Sequence, residues 1–168
     1  MQQNGHSENL ANRITIAAVV ENKPGVLHRT SNVFRQRGYN IASISVGPLQ
    51  DPAFSRMTFT IEANDNVIDQ LAAQLAKQID VLDVQVSNSN SVQRELALIK
   101  IDSQNGKNRD AIIAQCKRSN GSIIDVSQNH IIVEIAGQPD KIDEFIKTAS
   151  SFGIKEISRT GIVALAKG

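Results

Sequence analysis

The apolar residues of this chain change their spacing in the same order twice, once on each side of the polar run SNSNSVQ at 87–93. Each half begins with a strand-like stretch rich in Ile, Val or Leu and continues with a helical spacing of three and four residues. Two further strand-like stretches, a second helical stretch and a last strand follow. The repeated order predicts two ferredoxin-like βαββαβ sandwiches in tandem, an α+β fold.

The Ser/Asn-rich run between the halves has the composition of a flexible connection and indicates where the chain divides. The length of 168 residues leaves about 75 for each domain, and the whole chain is long enough to bury an apolar core without disulfides. We therefore expect a variable or disordered segment at 1–11, a first domain at 12–86, a connection at 87–93 and a second domain at 94–168.

In the first half, a strand is predicted to end at the turn NKPG at 22–25, and a helix runs from Val26 to a stop at Gly38. Asn64 or Asp65 is predicted to cap a second helix. The apolar stripe of that helix is predicted to comprise Val67, Ile68, Leu71, Ala72, Leu75 and Ile79. The predicted strands are 13–21, 40–46 with a break at 47–48, 56–62 and 81–86.

In the second half, strands are predicted at 94–101, 122–126 and 131–135. One helix is predicted at 108–118, with Cys116 on its apolar stripe, and another opens at Pro139. The C-terminal segment 152–165 mixes apolar and polar residues and is predicted to be one strand with its loop.

Composition excludes several classes of function. Lys plus Arg exceed Asp plus Glu by one, so the chain lacks the strongly basic surface of a nucleic-acid-binding protein, and its single Cys excludes an internal disulfide. No run approaches the roughly 18 apolar residues of a membrane span, and the polar start lacks the features of a signal peptide. We expect a cytoplasmic protein with no nucleic-acid or membrane partner.

The residues that could support catalysis do not form a constellation. His6, His28 and His130 fall in separate segments without metal-ligand spacing, so no metal site is expected. Cys116 could be a nucleophile beside a His, but its place on an apolar stripe favours a small buried hydrophobe. We expect no catalytic residues, and an enzyme that uses Cys116 or a His is the least supported alternative.

The turn at 22–27 has the features of a ligand site. Asn22 carries an amide that can cap the helix or bond a ligand, Pro24 suits a first helical position, and Gly25 removes a side chain where a ligand approaches. Free N–H groups at such a helix start favour an anion such as an amino-acid carboxylate. The same residues also form an ordinary strand-to-helix turn. Asn40 could add a second amide beside the turn, or serve only as a turn residue itself.

Longer motifs contain these residues. In the first half they are VENKPGVLHR at 20–29, QRGYNI at 36–41, VGP at 46–48, SRMT at 55–58 and QLAKQIDV at 74–81, and in the second half RELALIK at 94–100, FGI at 152–154 and RTG at 159–161. The chain resembles the small regulatory subunits of acetolactate synthase, also called acetohydroxyacid synthase, over residues 12–165. The turn alone indicates an ACT domain, a small-ligand sensor, whereas its combination with RELALIK and RTG of the second half is far more specific to these subunits.

The resemblance implies a non-catalytic regulatory subunit. Such a chain binds a large catalytic subunit, raises its activity and confers feedback inhibition by valine in branched-chain amino-acid biosynthesis. The holoenzyme condenses two pyruvates to acetolactate, or pyruvate with 2-oxobutyrate. Thiamin diphosphate, Mg and FAD would be carried by the catalytic subunit and not by this chain.

The resemblance also implies where the effector binds. Two ACT domains pair as a homodimer, and valine lies between the first strand-to-helix turn of one copy and the second strand of the other. By position, Asn22, Gly25, Val26 and Leu27 match the turn, and Asn40 and Ile41 match the facing strand. A free-standing ACT-type amino-acid sensor acting on another partner is the alternative.

Overall fold

The structure is a computed structural model that describes residues 12–63, 67–87 and 90–167. The chain divides near residue 88 into two compact units. Within the described ranges, every helix is too short or too polar to span a bilayer. The segment 1–11 and the predicted cap at Asn64 or Asp65 lie outside the described residues.

The first unit follows the order β1-α1-β2-β3-α2-β4. Its elements are β1 (Asn12–Glu21), α1 (Val26–Gln36), β2 (Ile41–Pro48), β3 (Phe54–Ala63), α2 (Ile68–Ala76) and β4 (Val81–Ser87). The strands form one sheet in the order β2-β3-β1-β4, so that β2 and β4 are its edges.

The two helices bury one face of this sheet. Ile16 of β1 lies opposite Phe59 of β3, and both are fully buried. The Phe59 ring contacts the ring of Phe34 in α1, with centroids 4.8 Å apart, while α2 contributes buried Leu71 and Leu75. Because side chains alternate along a strand, every second residue of β1 points into this core.

The direction of β2 follows from its hairpin with β3. A loop of five residues joins the two strands, and the Leu49 N–H donates to the Phe54 carbonyl at 2.9 Å across it. Strands joined by so short a loop are antiparallel, and β3 is antiparallel to β1. β2 therefore runs parallel to β1, and the N-terminal end of β2 lies at the opposite end of the sheet from the β1–α1 turn.

The second unit repeats this architecture and adds one strand. Its elements are β5 (Ser91–Asp102), α3 (Arg109–Arg118), β6 (Ser122–Val126), β7 (His130–Gly137), α4 (Pro139–Ala149), a 3-10 turn (Ser150–Phe152), β8 (Ile154–Arg159) and β9 (Val163–Ala166). Four strands follow the order β6-β7-β5-β8, equivalent to that of the first unit, and β9 pairs with the N-terminal part of β5. Ile99, Ile112, Ile131 and Phe145 lie in its buried core.

An ion-pair network joins β5, β8 and α4. The side chain of Glu95 is 4% exposed, and its two carboxylate oxygens accept hydrogen bonds from Arg159 Nε at 2.7 Å and Nη2 at 2.6 Å. Arg159 Nη1 donates to Asp143 Oδ1 at 2.7 Å. The bonds to Glu95 raise the pKa of the Arg159 guanidinium further above its usual range. The buried carboxylate is tolerated because both its oxygens are satisfied by a cation.

The predicted α+β fold of two ferredoxin-like units is confirmed, with corrections at several boundaries. Ile79 does not belong to α2, which ends at Ala76; a tight turn follows, and Ile79 is 94% exposed. β2 continues through Gly47 to Pro48 instead of breaking there. An edge strand tolerates proline because its outward N–H has no partner in the sheet.

The C-terminal segment 152–165 forms two strands and not one. Gly161 adopts φ +78° between β8 and β9, and the chain leaves the β8 ladder there. Ser91 and Val92, expected in the connection, pair instead with Ala166 and Leu165 of β9. Ser87 likewise belongs to β4. The limits proposed for the two domains remain predictions.

Candidate functional site

The β1–α1 turn ends at Gly25, which is the N-cap of α1 and has φ +84°. Glycine suits this left-handed conformation because it has no Cβ. The helix begins at Val26, so the prediction of Pro24 at its first position is wrong. No side chain caps this end of α1, and its first turn has no acidic residue. The positive end of the helix dipole is therefore open to an anion.

Asn22 holds the turn against the β2–β3 hairpin instead of capping α1. Its backbone N–H donates to the Ala53 carbonyl at 2.7 Å, and its side-chain Nδ2 donates to the Pro52 carbonyl at 2.9 Å. An Asn amide has two N–H donors and one acceptor oxygen, so this side chain has hydrogen-bonding capacity left for a ligand.

Asp80, just before β4, holds the turn from the other side. The Glu21 N–H donates to the Asp80 carbonyl at 2.9 Å, and Arg29 Nε donates to Asp80 Oδ2 at 2.6 Å. Asp80 is buried, so this ion pair is partly shielded from solvent. The end of β1 and the start of α1 are thus joined through one residue.

Four charged side chains surround the turn. Lys23 Nζ lies 2.8 Å from Glu21 Oε2, beside the Arg29–Asp80 pair. The hydrogen bond from Arg29 lowers the pKa of Asp80, and the same bond raises the pKa of Arg29. The hydrogen bond to Glu21 raises the pKa of Lys23. Arg29, Asp80 and Lys23 therefore all stay charged at neutral pH.

The first residues of α1 differ in what they offer a ligand. The Val26 N–H donates to the Lys23 carbonyl at 3.3 Å, and the Val26 side chain is buried, so neither group is available. Leu27 is exposed. No hydrogen bond joins the N–H groups of Leu27 and His28 to another described residue, and both can donate to a bound anion.

Asn40 and Ile41 stand at the N-terminal end of β2, where Asn40 is exposed and Ile41 is half-buried. Because β3 lies between β2 and β1, and β2 is parallel to β1, this end of β2 is far from the turn. Within a single chain, the expectation that Asn40 lies beside the turn is therefore wrong.

The structure describes the surroundings of three of the residues considered for catalysis, Cys116, His28 and His130. Cys116 is buried in the core of the second unit, and burial raises the pKa of its thiol. His28 Nε2 lies 3.1 Å from Asn32 Nδ2, one turn along α1. His6 lies outside the described residues. In the described ranges, no three His, Cys, Asp or Glu side chains are grouped so as to hold a metal ion.

The β6–β7 hairpin places Ser127, His130 and Asp125 close together, and Ser, His and Asp are the residue types of many hydrolase active sites. Its Nδ1 lies 2.8 Å from Ser127 Oγ, and its Nε2 lies 3.5 Å from Asp125 Oδ2. The same Ser127 Oγ also accepts the His130 backbone N–H at 3.1 Å. These contacts close the β6–β7 turn, and this structural role explains why the three side chains lie together.

Both units of the chain are similar to known protein families. The family described as the AHAS small subunit-like ACT domain matches residues 16–83, and the family described as the small subunit of acetolactate synthase matches residues 94–168. The probable acetolactate synthase small subunit of Archaeoglobus fulgidus is 42% identical over 154 residues, which cover 92% of this chain and 96% of that protein. The chain belongs to the acetolactate synthase small-subunit family. The small subunit of Bacillus subtilis is 43% identical over 155 residues, covering 91% of this chain and 90% of that protein.

The fold of this chain is also similar to that of a solved small-subunit structure. The crystal structure of the acetolactate synthase small subunit from Thermotoga maritima matches with a TM-score of 0.84 at 35% identity, covering 94% of this chain and 98% of that chain. The family resemblance carried by the sequence motifs is therefore confirmed, and so is the ACT domain in the first unit.

Arg29, Asp80 and Pro52 were not among the predicted site residues of this chain. Arg29 follows Gly25 by four residues, a spacing that places it one helical turn away on the same face. The four-residue spacing could therefore have indicated from the sequence that Arg29 lies near Gly25. The contacts of Pro52 and Asp80 join residues 30 and 51 positions apart, and local sequence patterns do not report such pairs.

Proposed function

We propose that this chain is the regulatory subunit of an acetolactate synthase in the cytoplasm. It binds a large catalytic subunit that depends on thiamin diphosphate, raises the activity of that subunit, and confers feedback inhibition by valine. Thiamin diphosphate, Mg and FAD belong to the catalytic subunit. The observation that carries the proposal is the match of both units, over nearly the whole chain, to small subunits of this enzyme.

The effector site of the proposal is the start of α1. Gly25 leaves the helix end open, and the Leu27 and His28 amides have no partner among the described residues. These groups suit the carboxylate of an amino acid, since N–H donors and the helix dipole both favour negative charge. Asn22 would add a hydrogen bond to the ligand, and exposed Leu27 would contact its isopropyl group.

The second half of the proposed site comes from a homodimer. β2 is an edge strand of the sheet in the first unit, and edge strands are the usual place for pairing with another copy. Two β2 strands paired antiparallel bring the N-terminal end of one to the C-terminal end of the other. Asn40 and Ile41 of a second copy would then approach the end of the sheet that carries Gly25. This topology supports the dimeric site, although the two segments are separated within one chain.

The proposal is tested by reconstitution with the catalytic subunit of the same source. The full chain should raise acetolactate formation, and valine should inhibit the reconstituted enzyme more strongly than the catalytic subunit alone. Leucine and isoleucine are titrated in parallel. Valine binding with no effect on the catalytic subunit would favour a free-standing sensor. Turnover by this chain alone, abolished in Cys116→Ser, would favour an enzyme.

Gly25→Asp tests the placement of the effector. An Asp side chain would put bulk and negative charge where the carboxylate approaches, so inhibition by valine should weaken about tenfold or more while stimulation of the catalytic subunit persists. Gly106→Asp is the matched control, because Gly106 also has a positive φ, of +89°, and open space around it. Equal valine inhibition in Gly25→Asp and wild type would contradict the placement.

A further inference from the structure

The guanidinium of Arg29 lies over the position that a side chain at Gly25 would occupy. A Cβ built on Gly25 would be 3.0 Å from Arg29 Nη1 and 3.8 Å from Arg29 Cζ. Side chains in a helix point toward its N-terminal end, and Arg29 is one turn beyond Gly25. The space left open by the glycine is therefore faced by a cation.

This guanidinium is fixed at one end. Arg29 Nε donates to Asp80 Oδ2 at 2.6 Å, whereas no hydrogen bond joins Nη1 or Nη2 to another described residue. Those two nitrogens carry four N–H donors. The Arg29 side chain is 45% exposed and that of Asp80 is 10% exposed. The buried carboxylate thus anchors the side chain, and its outer edge is accessible.

The position of this cation is electrostatically unusual. Positive charge near a helix N-terminus is unfavourable, because the helix dipole is positive there. Arg29 has Asp80 as its partner through Nε, and Lys23, the other cation of the turn, lies 2.8 Å from Glu21, so only the Arg29 Nη1 and Nη2 groups face the helix end without a carboxylate partner among the described residues. A carboxylate at this point would meet both the open helix end and the planar fork of an arginine, which matches carboxylate geometry.

We propose that Arg29 is the cationic contact for the carboxylate of the effector, and that Asp80 is the positioning residue that aims it. The inference rests on the proposed function and adds to its site a group that acts through charge. It specifies the ligand class as an α-amino acid with a free carboxylate. An amide of the same amino acid keeps the side chain and ammonium group but loses this contact.

The test compares valine with valinamide by calorimetric titration of the full-length chain, at a pH where both ligands keep the ammonium charge. Arg29→Gln should weaken valine binding about tenfold or more and leave valinamide within about twofold, so that the preference for valine falls about tenfold. Asp80→Asn should reduce the same preference by a smaller factor. Arg35→Gln is the matched control, since Arg35 lies in the last turn of α1 and donates to Asn32 Oδ1.

The outcomes separate the two proposals. Equal weakening of valine and valinamide in Arg29→Gln would mean that Arg29 only holds the turn, and would overturn the inference. Wild-type affinities in that variant would overturn it too, while leaving the proposed function intact. Failure of the wild-type chain to bind any branched-chain amino acid would reject both the role of Arg29 and the proposed effector site. Thermal unfolding establishes that each variant is folded, and Arg29→Met replaces Arg29→Gln if the latter is not.

Discussion

Removal of the Arg159 guanidinium should destabilise the second unit by about 3 kcal/mol. Arg159→Met keeps the length and apolar stem of the side chain but leaves the Glu95 carboxylate, 4% exposed, without its two hydrogen bonds. Breaking one partner of a buried pair typically costs about 3–5 kcal/mol. We take the lower end because Arg159 is 30% exposed, so that water can reach part of the site. The folded-to-unfolded ratio would fall about 100-fold.

The assay is equilibrium unfolding in urea, followed by far-ultraviolet circular dichroism, with two companion variants. Asp143→Asn removes one charge from a contact whose carboxylate is 42% exposed, and its free energy of unfolding should change by under about 1 kcal/mol. Glu95→Met combined with Arg159→Met removes both charges from the buried site. The double variant should be more stable than Arg159→Met alone, because no unpaired carboxylate remains.

The free energies of unfolding of Arg159→Met, Asp143→Asn and the double variant show whether Glu95 depends on the Arg159 guanidinium. Glu95 does not depend on the Arg159 guanidinium if Arg159→Met is as stable as Asp143→Asn, or if the double variant is less stable than Arg159→Met. Either result would mean that water or another group satisfies Glu95 when the guanidinium is absent.

Two further predictions concern stability. Because Arg29 lowers the pKa of Asp80, the stability contributed by this pair is complete above the usual carboxyl pKa of about 4 and is lost as pH falls through the lowered value. The stability difference between wild type and Asp80→Asn should therefore be larger at pH 7 than at pH 2, and an equal difference at both would contradict the pairing. Gly121→Ala should cost about 1–3 kcal/mol, because its Cβ would lie 2.2 Å from Ile135 Cδ1 and 2.9 Å from a backbone oxygen. Gly47→Ala, with open space around it, should change the urea midpoint little; equal effects of the two substitutions would reject the packing argument.

The fold was predictable because its signals are local. A stretch rich in Ile and Val predicted β1, a helical stripe starting at Pro139 predicted α4, and the repeat of such patterns predicted two units. The failures were at positions where a partner distant in sequence decides the structure. Ser91 and Val92 look like part of a polar connection, yet they pair with β9 more than 70 positions away.

The candidate site was predictable only in part, for a related reason. The open helix end at Gly25 follows from local turn chemistry, and the turn was found from it. The orientation of Asn22 depends on Pro52 and Ala53, and that of Arg29 depends on Asp80. These side chains owe their positions to contacts between separate elements, which a periodicity does not encode.

The β1–α1 turn is held on both sides by contacts within the chain, with the carbonyls of Pro52 and Ala53 on one side and Asp80 on the other. Ordering a flexible backbone would consume about 1–2 kcal/mol per residue, and a turn already in place avoids most of that loss. If an effector binds at this turn as proposed, its association would not have to wait for the turn to form. The speed with which such a chain follows a change in metabolite concentration would then be set by diffusion and by release of the ligand, rather than by folding of the sensor itself.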